Sequence, residues 1–310
     1  MKIVITNESG LTQEHLEELQ KLGTVEVYKD TNNDNYAERV GDADIAVIDC
    51  FLTPVTKELL QGSPGLKFFS VNSTGFDKVD TEAVKAAGIS ASNVPGFATD
   101  SVAEFAIGLM FAAVRKITEG DTRFRSGLHA VDPGTPEGDE FMTFNLKGKT
   151  LGVVGLGKIG MRVAEIGKGI GMDVIAFNKD PRMVEGVKAA SLPEVMERAD
   201  VVVLCLALNA ETTGIISREL IDKMKKTAVL ISIASSKLVD EQALLEALNS
   251  GRIAGAGLDH PNVLFTEAKN TVVAPMLGYN TRESAENMGH IILENIKAFV
   301  SGNPVNVISS

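Results

Sequence analysis

Thr150-Leu151-Gly152-Val153-Val154-Gly155-Leu156-Gly157-Lys158-Ile159-Gly160 reads as an apolar strand that passes through a glycine turn into the start of a helix. A G-x-G-x-x-G pattern alone is a weak signal. Between a strand and a helix, with further β-α units behind it, the pattern marks a dinucleotide-binding loop. The turn needs backbone angles open to glycine, and a Cβ at Gly157 would block the approach of a pyrophosphate. A helix starting near Lys158 aims its backbone N–H groups at that phosphate charge. Gly155, Gly157, Lys158, Ile159 and Gly160 are therefore the first candidate site residues.

The following strand ends Ala176-Phe177-Asn178-Lys179-Asp180-Pro181-Arg182. A carboxylate at such a tip bonds the adenosine ribose hydroxyls and repels a 2′-phosphate. Here Asn178 stands at the tip, with Lys179 and Arg182 beside it, a combination that leans toward NADP(H). Asp180 is an alternative carboxylate that would favour NAD(H), so both cofactors stay open.

Outward from this loop the chain alternates strands and helices. Before it lie strands at Lys2–Thr6, Val25–Tyr28, Ala43–Asp49, Leu66–Val71 and Ile89–Asn93, with helices at Thr12–Leu22, from Thr56 and at Thr81–Ala87. A long helical pattern covers Asp100–Ile117. Gly127–Phe144, rich in Pro, Gly and acidic residues, reads as a loop. After the loop, strands are expected at Asp173–Phe177, Val201–Leu206, Ala228–Ser232, Ala254–Leu258 and Thr271–Ala274, and a last helix at Arg282–Val300. Two such series imply an α/β fold with parallel sheets covered by helices on both faces.

Composition narrows the function. The 310 residues are 44% hydrophobic, enough for two domains. Lys+Arg number 30 against 41 Asp+Glu, a net charge of -11. Without basic runs, such a chain is a poor partner for nucleic acid or an anionic membrane surface. The two cysteines, Cys50 and Cys205, form no CxxC, so neither a disulfide framework nor a metal site is expected. The first residues read as a strand and no apolar run reaches membrane-spanning length, so a cytoplasmic location is expected.

Several motifs, taken together, resemble the D-isomer-specific 2-hydroxyacid dehydrogenases over almost the whole chain. They are Ser73-Thr74-Gly75-Phe76-Asp77-Lys78-Val79-Asp80, Asn93-Val94-Pro95-Gly96 followed by Ser101-Val102-Ala103-Glu104, Val239-Asp240-Glu241-Gln242-Ala243-Leu244, Ala254-Gly255-Ala256-Gly257-Leu258-Asp259 and Asn280-Thr281-Arg282-Glu283-Ser284. The resemblance implies a Rossmann-type cofactor domain (99–284) inserted into a flavodoxin-like substrate domain made of both chain ends (1–98 and 285–310). The active site would lie in the cleft between them. It implies an NAD(P)-dependent oxidoreductase with a small-molecule substrate, assembled as a homodimer through the cofactor domains. It adds Ser101, Leu206, Ala207, Ile233, Ala234, Asp259 and Gly278 to the cofactor contacts. It also makes Ser73, Thr74 and Gly75, with Cys50 nearby, the cradle of the substrate's acid group.

The chain departs from the family at its chemistry. The family clamps the substrate carboxylate with an Arg, moves a proton with a His and holds that His with a Glu. Aligned here, Ser235 stands at the Arg position, Met276 at the His position and Leu264 at the Glu position. A positioned acid/base is worth about 10²–10⁴-fold in rate, so ordinary 2-hydroxyacid turnover is not expected and an altered substrate class is. Tyr279, His260 and Lys237 are candidate substitutes, each of which also has a plain structural reading as a packing aromatic or a solvated side chain. The alternative function is a catalytically silent dinucleotide-binding protein acting as a sensor or interaction surface.

Overall fold

The computed structural model describes residues 1–7, 10–180 and 182–308; Pro181, in the loop quoted above, lies outside them. The chain divides into two compact units, one made of Met1–Ala98 and Asn280–Ser310, the other of Thr99–Tyr279. The second junction falls a few residues before 284/285. Thr281 caps the helix Arg282–Val300, and the apolar face of that helix (Met288, Ile292, Ile296) packs into the first unit's core, so the whole helix start belongs there.

In the first unit, β1 (Lys2–Ile5), β2 (Thr24–Val27), β3 (Ile45–Ile48), β4 (Phe68–Val71) and β5 (Ser90–Ser92) form one parallel sheet in the order β2-β1-β3-β4-β5. That is the flavodoxin-type order. The inner strands β1, β3 and β4 are apolar almost throughout because both their faces are covered. Val4, Ala46, Ile48 and Phe69 enter one core, while Ile3, Ile5, Ile45, Val47 and Phe68 enter the other. Burying each of these Val, Ile and Phe side chains contributes about 1.5–3 kcal/mol. The C-terminal segment returns to this sheet, where Val307 bridges Ser92 and the Ile308 N–H donates to the Ala91 carbonyl at 2.8 Å.

In the second unit, β6 (Thr150–Val154), β7 (Asp173–Phe177), β8 (Val187–Ala189), β9 (Val201–Leu204), β10 (Val229–Ser232), β11 (Gly255–Asp259) and β12 (Thr271–Ala274) form a parallel sheet in the order β12-β11-β10-β9-β6-β7-β8. The chain winds outward from β6 in one direction and from β9 in the other, so the glycine turn after β6 sits at the switch point, where ligands bind in such sheets. Alternate residues feed separate cores: Val201 and Val203 on one face, Val202 and Leu204 on the other.

Local readings differ in several places. The expected helix Asp100–Ile117 is two helices, Thr99–Val114 and Ile117–Arg125, because Lys116 adopts φ +51° and breaks the ladder. The expected loop Gly127–Phe144 contains a one-turn helix, Pro136–Glu140, whose N–H at Gly138 donates to the Thr135 hydroxyl at 3.1 Å. The expected strand Val201–Leu206 ends at Leu204. β8 and the helix Tyr36–Val40 are too short for their periodicity to show in sequence. Among the described residues no helix is long and apolar enough to cross a membrane.

Candidate active site

The glycine turn assigns a different task to each glycine. Gly155 leaves β6 at φ +100°, and a Cβ there would lie 3.0 Å from Leu206 Cδ2 and 3.1 Å from the Cys205 carbonyl oxygen. A Cβ on Gly160 would stand 1.9 Å from the Gly155 carbonyl oxygen, so only glycine lets the helix Lys158–Gly169 sit this close to β6. Around Gly157, by contrast, nothing lies within 4 Å of the Cβ position. Among the described residues no acceptor takes the N–H of Gly157, Lys158 or Ile159, and the helix has no side-chain cap. Open donors at the positive end of a helix, with open space before them, fit a pyrophosphate.

Asn178, directly after β7, is committed to the backbone. Its Oδ1 accepts the Leu156 N–H at 2.9 Å and its Nδ2 donates to the Asp180 carbonyl at 2.6 Å. It holds the glycine turn, a role the sequence reading did not anticipate. Arg182 Nη1 donates to the Leu156 carbonyl at 3.4 Å. Lys179 pairs with Glu211, in the loop after β9, and that carboxylate raises the lysine above its ordinary value. Leu206 is half-buried beside Gly155, and the Ala207 carbonyl accepts the Thr212 hydroxyl at 2.7 Å. Burial pushes the Cys205 thiol up to about 12, so it carries no thiolate chemistry.

The remaining candidates of the second unit follow β10, β11 and β12 at the same edge of the parallel sheet. Ile233 and Ala234 lead to Ser235, whose hydroxyl accepts the Lys237 N–H at 3.4 Å and caps the short turn Ser236–Leu238. Lys237 is exposed. The Asp259 carboxylate accepts the N–H groups of Leu277 at 2.8 Å and Gly278 at 2.9 Å, and so fastens the loop after β12. Met276, in that loop, is 39% exposed and adopts φ +58°. A non-glycine residue there is strained, which is common at functional sites. Leu264 is half-buried and packs against the core. His260 is exposed at φ +65°, with its N–H on the Ala274 carbonyl at 2.7 Å, and Tyr279 is 43% exposed. Ser101 is buried near the start of the helix Thr99–Val114.

The first unit carries Cys50 and the loop Ser73–Gly75 beyond β3 and β4. Cys50 is fully buried with Sγ 3.5 Å from Ser73 Oγ, and burial raises its thiol. Ser73 Oγ donates to the Gly75 carbonyl at 2.7 Å, and Thr74 Oγ1 to the Val94 carbonyl at 2.9 Å. Among the described residues no acceptor takes the N–H of Ser73, Thr74 or Gly75. Asn93 Nδ2 holds the Thr74 carbonyl at 2.8 Å. The motif Asn93-Val94-Pro95-Gly96 had marked this asparagine, but not its contact.

Known proteins agree with this architecture. The family profile described as D-isomer specific 2-hydroxyacid dehydrogenase, NAD binding domain, matches residues 107–277. A hydroxypyruvate reductase of Blautia hydrogenotrophica is 32% identical, with 100% of both chains covered. A glyoxylate reductase of Thermococcus litoralis is 33% identical over 99% of this chain and 96% of its own. Among solved structures, an acyclic imino acid reductase (Bsp5) in complex with NADPH and D-Arg shares the fold at a TM-score of 0.89 and 33% identity, over 99% of this chain and 100% of that one.

Proposed function

The chain belongs to the D-isomer specific 2-hydroxyacid dehydrogenase family, and we propose that within it this protein is an NADP(H)-preferring reductase of small 2-imino acids, acting on a protonated C=N bond in preference to a ketone. Its relatives are reductases and dehydrogenases, and the chain is a nicotinamide-dependent oxidoreductase. The observation that carries the finer reading is Met276, an exposed thioether at the position of the family's histidine.

Reduction of a ketone places negative charge on oxygen, and a general acid must neutralise it. A protonated imine already carries its proton, so hydride addition at carbon moves the C=N electron pair onto nitrogen and leaves a neutral amine. No side-chain acid is needed, and Met276 suffices. Ser235 in place of the family's arginine also removes a cation that would repel the iminium. The bound nicotinamide would supply the hydride. Gly157, Lys158 and Ile159 would hold its pyrophosphate, and Lys179 and Arg182 its 2′-phosphate. The acid group of the substrate would dock on the open N–H groups of Ser73–Gly75. The neighbouring reductase bound to NADPH and D-Arg supports both the cofactor and the bond type.

The test is nicotinamide oxidation with glyoxylate or hydroxypyruvate, with and without ammonia or methylamine. We expect turnover at least about tenfold faster with the amine present, and faster with NADPH than with NADH. Equal turnover without amine overturns the C=N preference. Tight cofactor binding with no turnover under any condition favours a silent dinucleotide-binding role, which the joint replacement of Arg, Glu and His by Ser235, Leu264 and Met276 would then explain.

A further inference from the structure

The first unit buries a run of polar side chains that neither packing nor the reaction above accounts for. Asn295, on the helix Arg282–Val300, is fully buried. Its Nδ2 donates to Ser70 Oγ at 3.1 Å and to the Asn93 carbonyl at 2.8 Å, and its Oδ1 accepts Asn306 Nδ2 at 2.8 Å. Asn93 in turn donates its N–H to the Asn306 carbonyl at 3.1 Å and its side chain to the Thr74 carbonyl at 2.8 Å. Asn306 adopts φ +53°, in the left-handed region. Hydrogen bonds thus run without a gap from the C-terminal segment, through the last helix, to the loop Ser73–Gly75.

A buried amide is expensive to desolvate, and Asn295 offsets that cost only because its polar atoms are paired with Ser70, Asn93 and Asn306. What the amides add is a fixed geometry. A peptide unit is planar and trans, so holding a carbonyl aims the following N–H the opposite way. Asn93 on the Thr74 carbonyl therefore aims the Gly75 N–H. The Val94 N–H, on the Ser73 carbonyl at 3.1 Å, aims the Thr74 N–H. These are two of the three N–H groups without an acceptor.

We infer that Asn295 and Asn306 are positioning residues, which set the direction of the Thr74 and Gly75 N–H groups and through it the affinity of the loop for a carboxylate. The affinity part rests on the proposed docking of the substrate's acid group at Ser73–Gly75.

Asn306→Gly is the variant of choice, because glycine adopts a positive φ freely and only the amide is lost. Asn93→Asp removes the donor to Thr74 with little change of shape. Three quantities are read in each: the amide ¹H–¹⁵N shifts of Thr74 and Gly75, the dissociation constant of oxalate in the presence of NADPH, and KM and kcat for glyoxylate with ammonia. Displaced loop amides, oxalate affinity and KM worse by about tenfold, kcat within about twofold and unchanged NADPH binding are expected, since small misplacements of binding groups cost this much. A folded Asn306→Gly protein with unmoved Thr74 and Gly75 amides overturns the positioning role. Moved amides with unchanged oxalate affinity and KM overturn the link to affinity. Gly75→Val separates this from failure of the docking reading. A Cβ on Gly75 makes only ordinary contacts, at 3.7 Å to Asp77 Oδ1 and 3.9 Å to Phe51 Cζ, and a melting curve of Gly75→Val checks that the fold is kept. If Gly75→Val leaves oxalate affinity intact, the acid group docks elsewhere, and the affinity claim falls with the docking reading while the amide shifts still decide the positioning.

Discussion

A Cβ on Gly160 collides with the Gly155 carbonyl oxygen at 1.9 Å, whereas one on Gly157 meets nothing within 4 Å. The two alanine variants should therefore fail differently. Gly160→Ala must push the helix off β6, and overpacking of that kind costs about 1–3 kcal/mol. Its melting temperature should fall and cofactor binding should fall with it. Gly157→Ala should melt almost normally, because Gly157 has an ordinary φ of -73°, yet bind NADPH at least about tenfold more weakly. Melting curves with and without NADPH separate the two, and normal NADPH binding by Gly157→Ala would remove the pyrophosphate from that space. Arg182→Ala probes the neighbouring selectivity. An arginine bonding a phosphate is worth about 1.5–3 kcal/mol, so NADPH should bind about tenfold or more weakly and NADH unchanged. Equal losses for both cofactors would instead assign Arg182 to supporting the turn through the Leu156 carbonyl. The strand, glycine turn and helix were legible in the sequence because residue identity and spacing encode them. The task of Asn178 was not, because it depends on the Leu156 N–H arriving beside it from the turn after β6.

Between elements, a histidine pair joins the helix Gln13–Gln20 to the helix Arg282–Val300. Buried His15 places Nε2 2.9 Å from His290 Nδ1, while its own Nδ1 accepts the Thr12 N–H at 3.0 Å. With Nδ1 an acceptor, His15 must carry its proton on Nε2 and give it to His290 Nδ1, which must then be bare. A second proton on His15 would have to sit on Nδ1, facing the Thr12 N–H. Burial lowers the His15 pKa below its ordinary value, His290 lowers it further, and the carboxylates of Glu14 and Glu286 only partly oppose this. A lowered folded pKa means that the unfolded chain binds the proton first. Stability is then complete above the unfolded value of about 6.5 and falls as the pH drops below it, by at most about 1.4 kcal/mol per pH unit. Urea unfolding between pH 7.5 and 5.5 should show this loss, and His15→Gln should flatten it. An equal slope in the variant would place the titration elsewhere. At this scale the sequence conveyed elements with caps and long apolar stripes, such as the helix after Thr12. It did not convey the break at Lys116, a backbone choice of one residue, nor the three-residue β8, whose pairing comes from β7.

At the scale of the molecule, alternating β-α units made two parallel sheets readable from the sequence. The closure of the first unit by both chain ends was not written in any local pattern; it entered through the family resemblance, because a pairing such as Ser92 with Val307 joins residues that no sequence window spans. Each unit has its own sheet with its own cores on both faces. The residues assigned to the dinucleotide all lie in Thr99–Tyr279. A ligand stabilises only the state that binds it, by about 2.7 kcal/mol at one hundred times its Kd. Calorimetry should therefore resolve two transitions, of which NADPH raises one and leaves the other in place. The transition that stays should be the one lowered by Asn306→Gly, since that amide braces the sheet built from both chain ends. If NADPH moves a single transition as a whole, the two units unfold together, and the energy of cofactor binding is shared with the unit that carries the Ser73–Gly75 loop.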